Sequence, residues 1–267
     1  MGIDRIHAAV VEVAKQRLRT PSGELQYLDI GAGRGEVIGL MQSAFPVNAR
    51  GCDYHTELFE GKEVPIDRID LNQEDLPYAN ESFDVITCSE VVEHLENYRR
   101  VFREIYRVLK PGGLAIVTTP NVLNMKSRLR YFGSGFYNLF GPLPVRNEKK
   151  YSLGAHITPI PFFYLAHALH ESDFVDIKLD IDRRQRSSAL WVAVFSPILM
   201  VSWLLFLRRE YVRSKRITES NKAYVYTHAD LRVLTGRTII VSALKRSTGD
   251  GLLGPALVPV EDSRAGR

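Results

Sequence analysis

The sequence predicts an α/β fold built around a mainly parallel sheet, and three observations carry that reading. A short apolar segment, Tyr27 to Ile30, runs directly into glycines at alternate positions, Gly31, Gly33 and Gly35, and then into the helical apolar pattern of Val37, Ile38, Leu40 and Met41. Residues 25–121 continue to alternate short apolar segments with helical stretches, which favours parallel strands covered by helices on both faces. The segments also end in polar residues, at Asp53, Asp70 and Ser89-Glu90. A parallel sheet would bring these and the glycines to one edge, the carboxyl ends of its strands, where open sheets of this kind bind ligands.

Taken in order, Ile3 to Leu18 has apolar residues at 3, 6, 10, 13 and 14, a helical period, and Thr20-Pro21-Ser22-Gly23 breaks it. A strand passing through a glycine turn into a helix offers backbone N–H groups and the positive end of the helix dipole. Glycine suits the sharp turn and lets a ligand approach bare backbone. The dinucleotide fingerprint G-x-G-x-x-G would place its third glycine at position 36, where Glu36 stands instead. A second strand over Asn48 to Cys52 ends at Asp53, a carboxylate able to accept two hydrogen bonds from a ribose. A third, Ile66 to Ile69, ends at Asp70-Leu71, suited to an adenine edge, although aspartate at a strand end also serves turns and caps. A fourth, Phe83 to Cys88, leads into Ser89-Glu90. Tyr98 to Leu109 reads as an amphipathic helix stopped by Pro111-Gly112-Gly113, and a fifth strand, Leu114 to Thr119, follows.

LDIGAGRGE, GCDY, IDLNQEDLPYANESFDVITCSEVVEHLEN and VLKPGGLAIVTTPN together resemble the class I S-adenosylmethionine-dependent methyltransferases, above all the branch that holds the ubiquinone-pathway O-methyltransferases. The likeness is strong over residues 25–121 and loose elsewhere. It implies a Rossmann-like sheet of seven strands with an antiparallel last strand. It also implies that Asp29 and the backbone of Gly31, Ala32, Gly33 and Gly35 hold the methionine end of the cofactor. By the same resemblance Asp53 takes the ribose, Tyr54 flanks the adenine, Asp70 and Leu71 meet its edge, and Ser89 lies beside the cofactor.

SEVVEH, residues 89–94, carries the sharpest chemistry outside the glycine loop. If a helix begins at or just after Glu90, then Glu90, Glu93 and His94 share one face, and two carboxylates with an imidazole suit a divalent ion such as Mg²⁺ or Mn²⁺. Glu-x-x-Glu-His resembles the metal motif of small-RNA 2′-O-methyltransferases and of some ubiquinone-pathway enzymes, which implies a second histidine, and His156 is placed to supply it. Two other readings stand beside this one: His94 as an unmetalled general base, and His94 as a residue that only orients loops.

Asn121 to Leu153 lacks a clean period. Its aromatics, Tyr131, Phe132, Phe136, Tyr137 and Phe140, are interleaved with Arg128, Arg130, Lys149 and Lys150, which suits either a substrate cover or a packed lid with solvated charges. Pro159 to His170 reads as a helix, Phe174 to Ile181 as a sixth strand and Gly236 to Leu244 as a seventh. Between the last two lies Ala189 to Leu207, nineteen residues without a charge, flanked by Arg183, Arg184 and Arg186 and by Arg208 and Arg209. It is long enough to span a bilayer. A seventh strand that must return to the same sheet excludes a single crossing, which leaves a dip into the membrane, an interfacial position, or a seam with protein such as a homodimer. The expected organisation is one domain over 1–247, with 183–235 as an insertion and 248–267 as a flexible tail.

Composition bounds the rest. The chain has 267 residues, 45% hydrophobic and 25% charged, with a net charge of +4. That is too little positive charge to indicate nucleic acid. Cys52 and Cys88 fall in predicted buried strands and read as core thiols. The first residues contain Asp4 and Glu12 and no long apolar core, so no secretory signal is expected there. The functional expectation is an O-methyltransferase acting on a hydroxyl of a membrane- or lipid-linked, glycan-type acceptor, cytoplasmic and peripheral on the inner face of the cell membrane. Two alternatives stand beside it: a soluble small-molecule or quinone-precursor methyltransferase with the apolar run as a dimer seam, and a non-catalytic cofactor-binding scaffold.

Overall fold

The structure, a computed structural model, describes residues 3–18, 23–143 and 155–247. The tail expected over 248–267, Lys149, Lys150 and part of the expected cover segment lie outside the described residues. In chain order the elements are α1 (Ile3–Arg17), β1 (Leu25–Ile30), α2 (Glu36–Ala44), β2 (Val47–Asp53), β3 (Ile66–Arg68), β4 (Phe83–Ser89), α3 (Tyr98–Val108), β5 (Leu109–Pro120) and α4 (Met125–Ser134). They are followed by α5 (Phe162–Glu171), β6 (Phe174–Ile181), α6 (Arg186–Leu207), α7 (Lys222–Tyr226), α8 (Leu231–Thr235) and β7 (Thr238–Lys245).

The strands form one seven-stranded sheet in the order β3-β2-β1-β4-β5-β7-β6. Pairings from β3 through β5 are parallel, and β7 runs antiparallel to both β5 and β6. The expected mainly parallel sheet with an antiparallel last strand is therefore what the chain builds. Its apolar segments read as continuous runs because both faces are covered. Successive residues point to opposite faces: Leu28, Ile30, Ile86 and Cys88 pack under α3 and α5 with Phe102, Ile105, Leu165 and Leu169. Tyr27, Val85, Leu114 and Ile116 pack on the other side with Val10, Ala14, Ile38 and Met41 from α1 and α2. Both cysteines are buried free thiols. The helix α1 is fastened to the far edge strand by Arg17, whose guanidinium donates to the Asp176 carboxylate at 2.9 Å and to its backbone carbonyl at 2.8 Å.

Three local differences from the sequence reading have physical causes. The fifth strand starts at Leu109, before Lys110-Pro111-Gly112-Gly113: Phe83 pairs with Leu109 and Val85 with Leu114, so the turn sits in the strand as a bulge. The stretch after β5 holds a helix that the irregular period hid. It is begun by Asn124, whose side chain accepts from the Ser127 N–H, and ended by Gly135 in the left-handed conformation at φ 73°. The connection from β6 to β7 contains α7 and α8 as well as the apolar helix α6.

The helix α6 does not enter the core. Ser188 is buried, and Val192, Phe195, Leu199, Trp203 and Leu207 are half-buried, which makes a single stripe along one side; most of the remaining residues from Ala189 to Phe206 are exposed. The chain then returns through residues 208–221 to α7 and α8, and Trp203 meets the Tyr226 ring edge-on at 6.1 Å.

Candidate active site at the carboxyl edge of the sheet

The parallel register brings Gly31, Asp53 and Ser89 to the same edge, one at the end of each of three adjacent strands. The glycine loop is built by necessity of shape. Gly31 has φ +75°, and a Cβ there would lie 2.2 Å from Val91 Cγ2. Gly35 has φ +92° and a Cβ would meet the Phe59 ring at 2.9 Å. The expectation that the loop offers free N–H groups is corrected: the N–H groups of Gly31 and Ala32 donate to the Cys52 carbonyl, that of Gly35 to the Ala32 carbonyl, and that of Gly33 to Asp53. The tight turn spends them on holding itself together. What the loop leaves for a ligand is backbone without side chains and the start of α2, which has no side-chain cap.

Asp53 ties this edge together. One carboxylate oxygen accepts from the Gly33 N–H at 2.9 Å and the other from the His55 N–H at 2.8 Å. Tyr54 is exposed, with the Arg68 guanidinium 5.4 Å from its ring centre. Asp70 uses its carboxylate locally, accepting from the Asn72 N–H and the Gln73 side-chain amide, the strand-end turn that aspartate commonly makes. Leu71 packs against the core.

Asp29 is buried beneath the loop. It accepts from the Thr87 hydroxyl at 2.6 Å, and Thr87 in turn accepts from the Tyr27 hydroxyl at 2.6 Å. Burial raises the Asp29 carboxyl to about 7. Thr87 and Tyr27 were not singled out by the sequence; a threonine in the middle of an apolar strand was the one signal, and it is weak because strands favour β-branched residues.

The SEVVEH segment departs from the helical expectation. Residues Val92–His94 form a single 3-10 turn, and Glu90, in the left-handed region at φ 54°, precedes it. The one-face arrangement of Glu90, Glu93 and His94 is therefore not formed. Glu90 turns to β5 instead: its N–H donates to the Thr118 hydroxyl at 3.0 Å, and that hydroxyl donates to the Glu90 carboxylate at 3.0 Å. Burial pushes the Glu90 carboxyl up to about 7.

The structure brings together Glu93, His94 and His156, whose ligand atoms all lie within 4.8 Å of one another. The loop carrying His156 is pinned to the turn, because the Ile157 and Thr158 N–H groups both donate to the Glu93 backbone carbonyl and the Thr158 hydroxyl donates to that of Leu95. His94 Nδ1 lies 2.9 Å from the Ala155 carbonyl, so it donates there and its Nε2 carries the lone pair. Burial lowers both histidines below their ordinary values, and His94 lowers His156 further. The Glu93 side chain is fully buried. Among the described residues, neither of its carboxylate oxygens has a hydrogen-bond partner, nor does His156 Nδ1. Burial and the nearby Glu90 push the Glu93 carboxyl well up.

A sheet of this order with its glycine loop at the carboxyl edge defines the class: this is a class I S-adenosylmethionine-dependent methyltransferase fold. Residues 28–117 match the family described as a methyltransferase domain. Similar structures include an S-adenosylmethionine-dependent methyltransferase from Archaeoglobus fulgidus, at TM-score 0.55 and 16% identity over 89% of this chain and 93% of that one. Another is phosphoethanolamine N-methyltransferase 2 of Haemonchus contortus in complex with S-adenosyl-L-methionine, at TM-score 0.52 and 17% identity over 90% and 53%. Curated relatives include the ubiquinone/menaquinone biosynthesis C-methyltransferase of Desulfotalea psychrophila, 30% identical over 39% of this chain and 45% of that protein. The demethylmenaquinone methyltransferase of Listeria welshimeri is 34% identical over 34% and 41%. The chain thus spans less than half the length of these curated relatives. Residues 28–117 match a methyltransferase domain, and they lie in a sheet with the class I S-adenosylmethionine-dependent methyltransferase fold.

Proposed function

We propose that this protein transfers the methyl group of S-adenosylmethionine to a small hydroxyl-bearing acceptor of the quinone-precursor type. The observation that carries the reading is the cluster of Glu93, His94 and His156 beside the carboxyl edge, with a neutral His94 whose Nε2 lone pair is available. Methyl transfer is an in-line displacement at a sulfonium carbon, so the protein's part is to align the reactants and take the acceptor proton. Deprotonating a phenol raises electron density on its oxygen and on the adjacent ring carbons, so one base serves O- or C-methylation. The curated relatives named above support a quinone-type ring over the glycan-type acceptor expected from the apolar run.

Glu93, His94 and His156 also fit a divalent cation, since the orphaned carboxylate and imidazole atoms form a mixed N/O donor set. Such an ion would lower the acceptor pKa. The test of the reading is production of S-adenosylhomocysteine with a panel of catechols and hydroxyquinols, with and without exhaustive chelation. Turnover restored by Mg²⁺ or Mn²⁺ supports the ion, and full turnover after chelation leaves His94 as an unmetalled base. No product with any acceptor favours the scaffold reading.

Cofactor affinity is expected to depend on pH through Asp29, proposed to face the methionine ammonium. Its carboxyl is neutral below about pH 7 and ionised above it. The attraction for the cationic cofactor is therefore present above that value and fades as pH falls through it. Calorimetry from pH 6 to 8 should show affinity rising with pH in the wild type and a weak, flat profile in Asp29→Asn. A wild-type profile as flat as the variant's would remove Asp29 from cofactor binding.

A further inference from the structure

We propose that α6 is a membrane-docking element that lies flat on an anionic lipid surface, with its exposed faces in the boundary between headgroups and acyl chains. A surface helix of a soluble protein turns its apolar stripe inward and its polar side to water. Here the inward stripe is apolar, but the outward sides are apolar as well. The inward stripe begins at a buried serine, Ser188, and continues half-buried, whereas the outward sides present Leu190 at 63% exposure, Ile198 at 62% and Leu205 at 62%, with Val194 and Val201 between them. From Ala189 to Leu207 the only hydroxyl groups are Ser196 and Ser202, and Ser196 returns its own to the Ala193 carbonyl at 2.9 Å. The seam with the domain is also loose: an apolar slot of about 200 Å³ remains between α6 and α8, lined by Val192, Leu199, Trp203 and Leu234 among others.

Charge selects the occupant. Residues 182–216 hold eight cationic side chains against two acidic ones, Asp182 and Glu210, while the whole chain nets only +4. The remainder of the chain is therefore slightly acidic, and the cations gather at the two ends of this helix. A second copy packed along α6 would set cationic ends against cationic ends, whether parallel or antiparallel. An anionic leaflet meets both ends with opposite charge. A helix–helix seam would also cover one stripe, whereas a lipid boundary covers every exposed side at once.

The geometry gives a flat orientation. The helix is held to the domain along its length, from Ser188, whose hydroxyl lies 3.5 Å from the Asn124 side chain, to Trp203 against Tyr226. The start of β7 pairs with Ile181 at the end of β6 and with Thr119 and Pro120 at the end of β5, so the chain leaves for α6 at the carboxyl edge and docking brings that edge toward the lipid surface.

The full chain supplies its own probe, since its two tryptophans, Trp191 and Trp203, both lie on α6. With vesicles of phosphatidylglycerol and phosphatidylcholine, the wild type should float on a density gradient and its tryptophan emission should shift to the blue. With pure phosphatidylcholine, flotation should fall several-fold. The Leu190→Ser/Ile198→Ser/Leu205→Ser variant, altered only at exposed positions, should stay soluble with unchanged circular dichroism. In a Trp191→Phe/Trp203→Phe background, a single tryptophan placed by Ile198→Trp at the exposed middle of α6 should be quenched more by lipids brominated at shallow than at deep acyl positions. Wild type that stays in the soluble fraction, or a triple variant that floats as well, overturns the proposal. Stronger quenching at the deep positions overturns the flat orientation in favour of a spanning one, since Ile198 stands at the middle of α6. A stable wild-type dimer by light scattering, dissolved by the triple variant and indifferent to vesicles, overturns it in favour of a second copy. Binding of S-adenosylmethionine, measured on the same samples, reads the proposed methyltransferase function separately, so either proposal can fail without the other.

Discussion

Asp53→Ala should weaken S-adenosylmethionine binding by roughly a hundred- to ten-thousand-fold, the loss expected for two charge-assisted hydrogen bonds of about 1.5–3 kcal/mol each. The proposed ribose contacts come on top of work that the carboxylate already does in the folded chain, accepting from Gly33 and His55. Removing it frees the glycine loop as well as the ribose. Both donors are partly exposed, so water can take the carboxylate's place and the stability cost should stay near 1–2 kcal/mol. Calorimetry on a variant shown to be folded separates the two effects. Asp53→Asn keeps one acceptor oxygen and should fall between the wild type and the alanine variant. A folded Asp53→Ala protein with wild-type affinity would remove the end of β2 from the cofactor site.

His94→Ala is expected to lower kcat by about 10²–10⁴-fold while leaving cofactor affinity within a few-fold of wild type, the usual loss for a missing general base. Burial holds His94 below its ordinary value, so its imidazole is already neutral at pH 7. With saturating cofactor, the wild-type kcat should therefore be flat through neutrality and fall only on the acid side, where the imidazole gains its proton. His94→Gln separates chemistry from shape: its amide can still donate to the Ala155 carbonyl, but it cannot act as a base. A glutamine variant that retains full single-turnover rate would leave His94 as a residue that positions the 155–158 loop. A rate restored in the alanine variant by added imidazole would support the proton-transfer role.

The parts of the site legible in the sequence were those written in short local patterns. Gly31, Gly33 and Gly35 follow a buried strand because that turn and helix start need left-handed backbone and close approach. Asp53 could be placed because it ends an apolar segment of the right length, and alternation of segments then puts it beside the glycines. The SEVVEH segment shows the limit. Its spacing suggested a helical face, but Glu90 takes a left-handed conformation and bonds to Thr118 across the sheet, leaving a single 3-10 turn. Nothing local to residues 89–94 announces Thr118, which comes from a neighbouring strand.

The sequence by itself determined the sheet, the carboxyl edge and the presence of an apolar helix between the last two strands, since each depends on the periodicity of a few adjacent residues and on the rules for joining parallel strands. Only the tertiary structure decided three further points. Glu90 stands apart from the group that Glu93 and His94 form with His156, the histidine the resemblance implied, which is held there by a loop whose N–H groups donate to the Glu93 backbone carbonyl. The glycine loop consumes its own N–H groups. The apolar helix lies outside the core with most of its sides uncovered. Each of these depends on contacts between residues far apart in the chain, and a hydropathy pattern records that a segment is apolar without recording what it lies against.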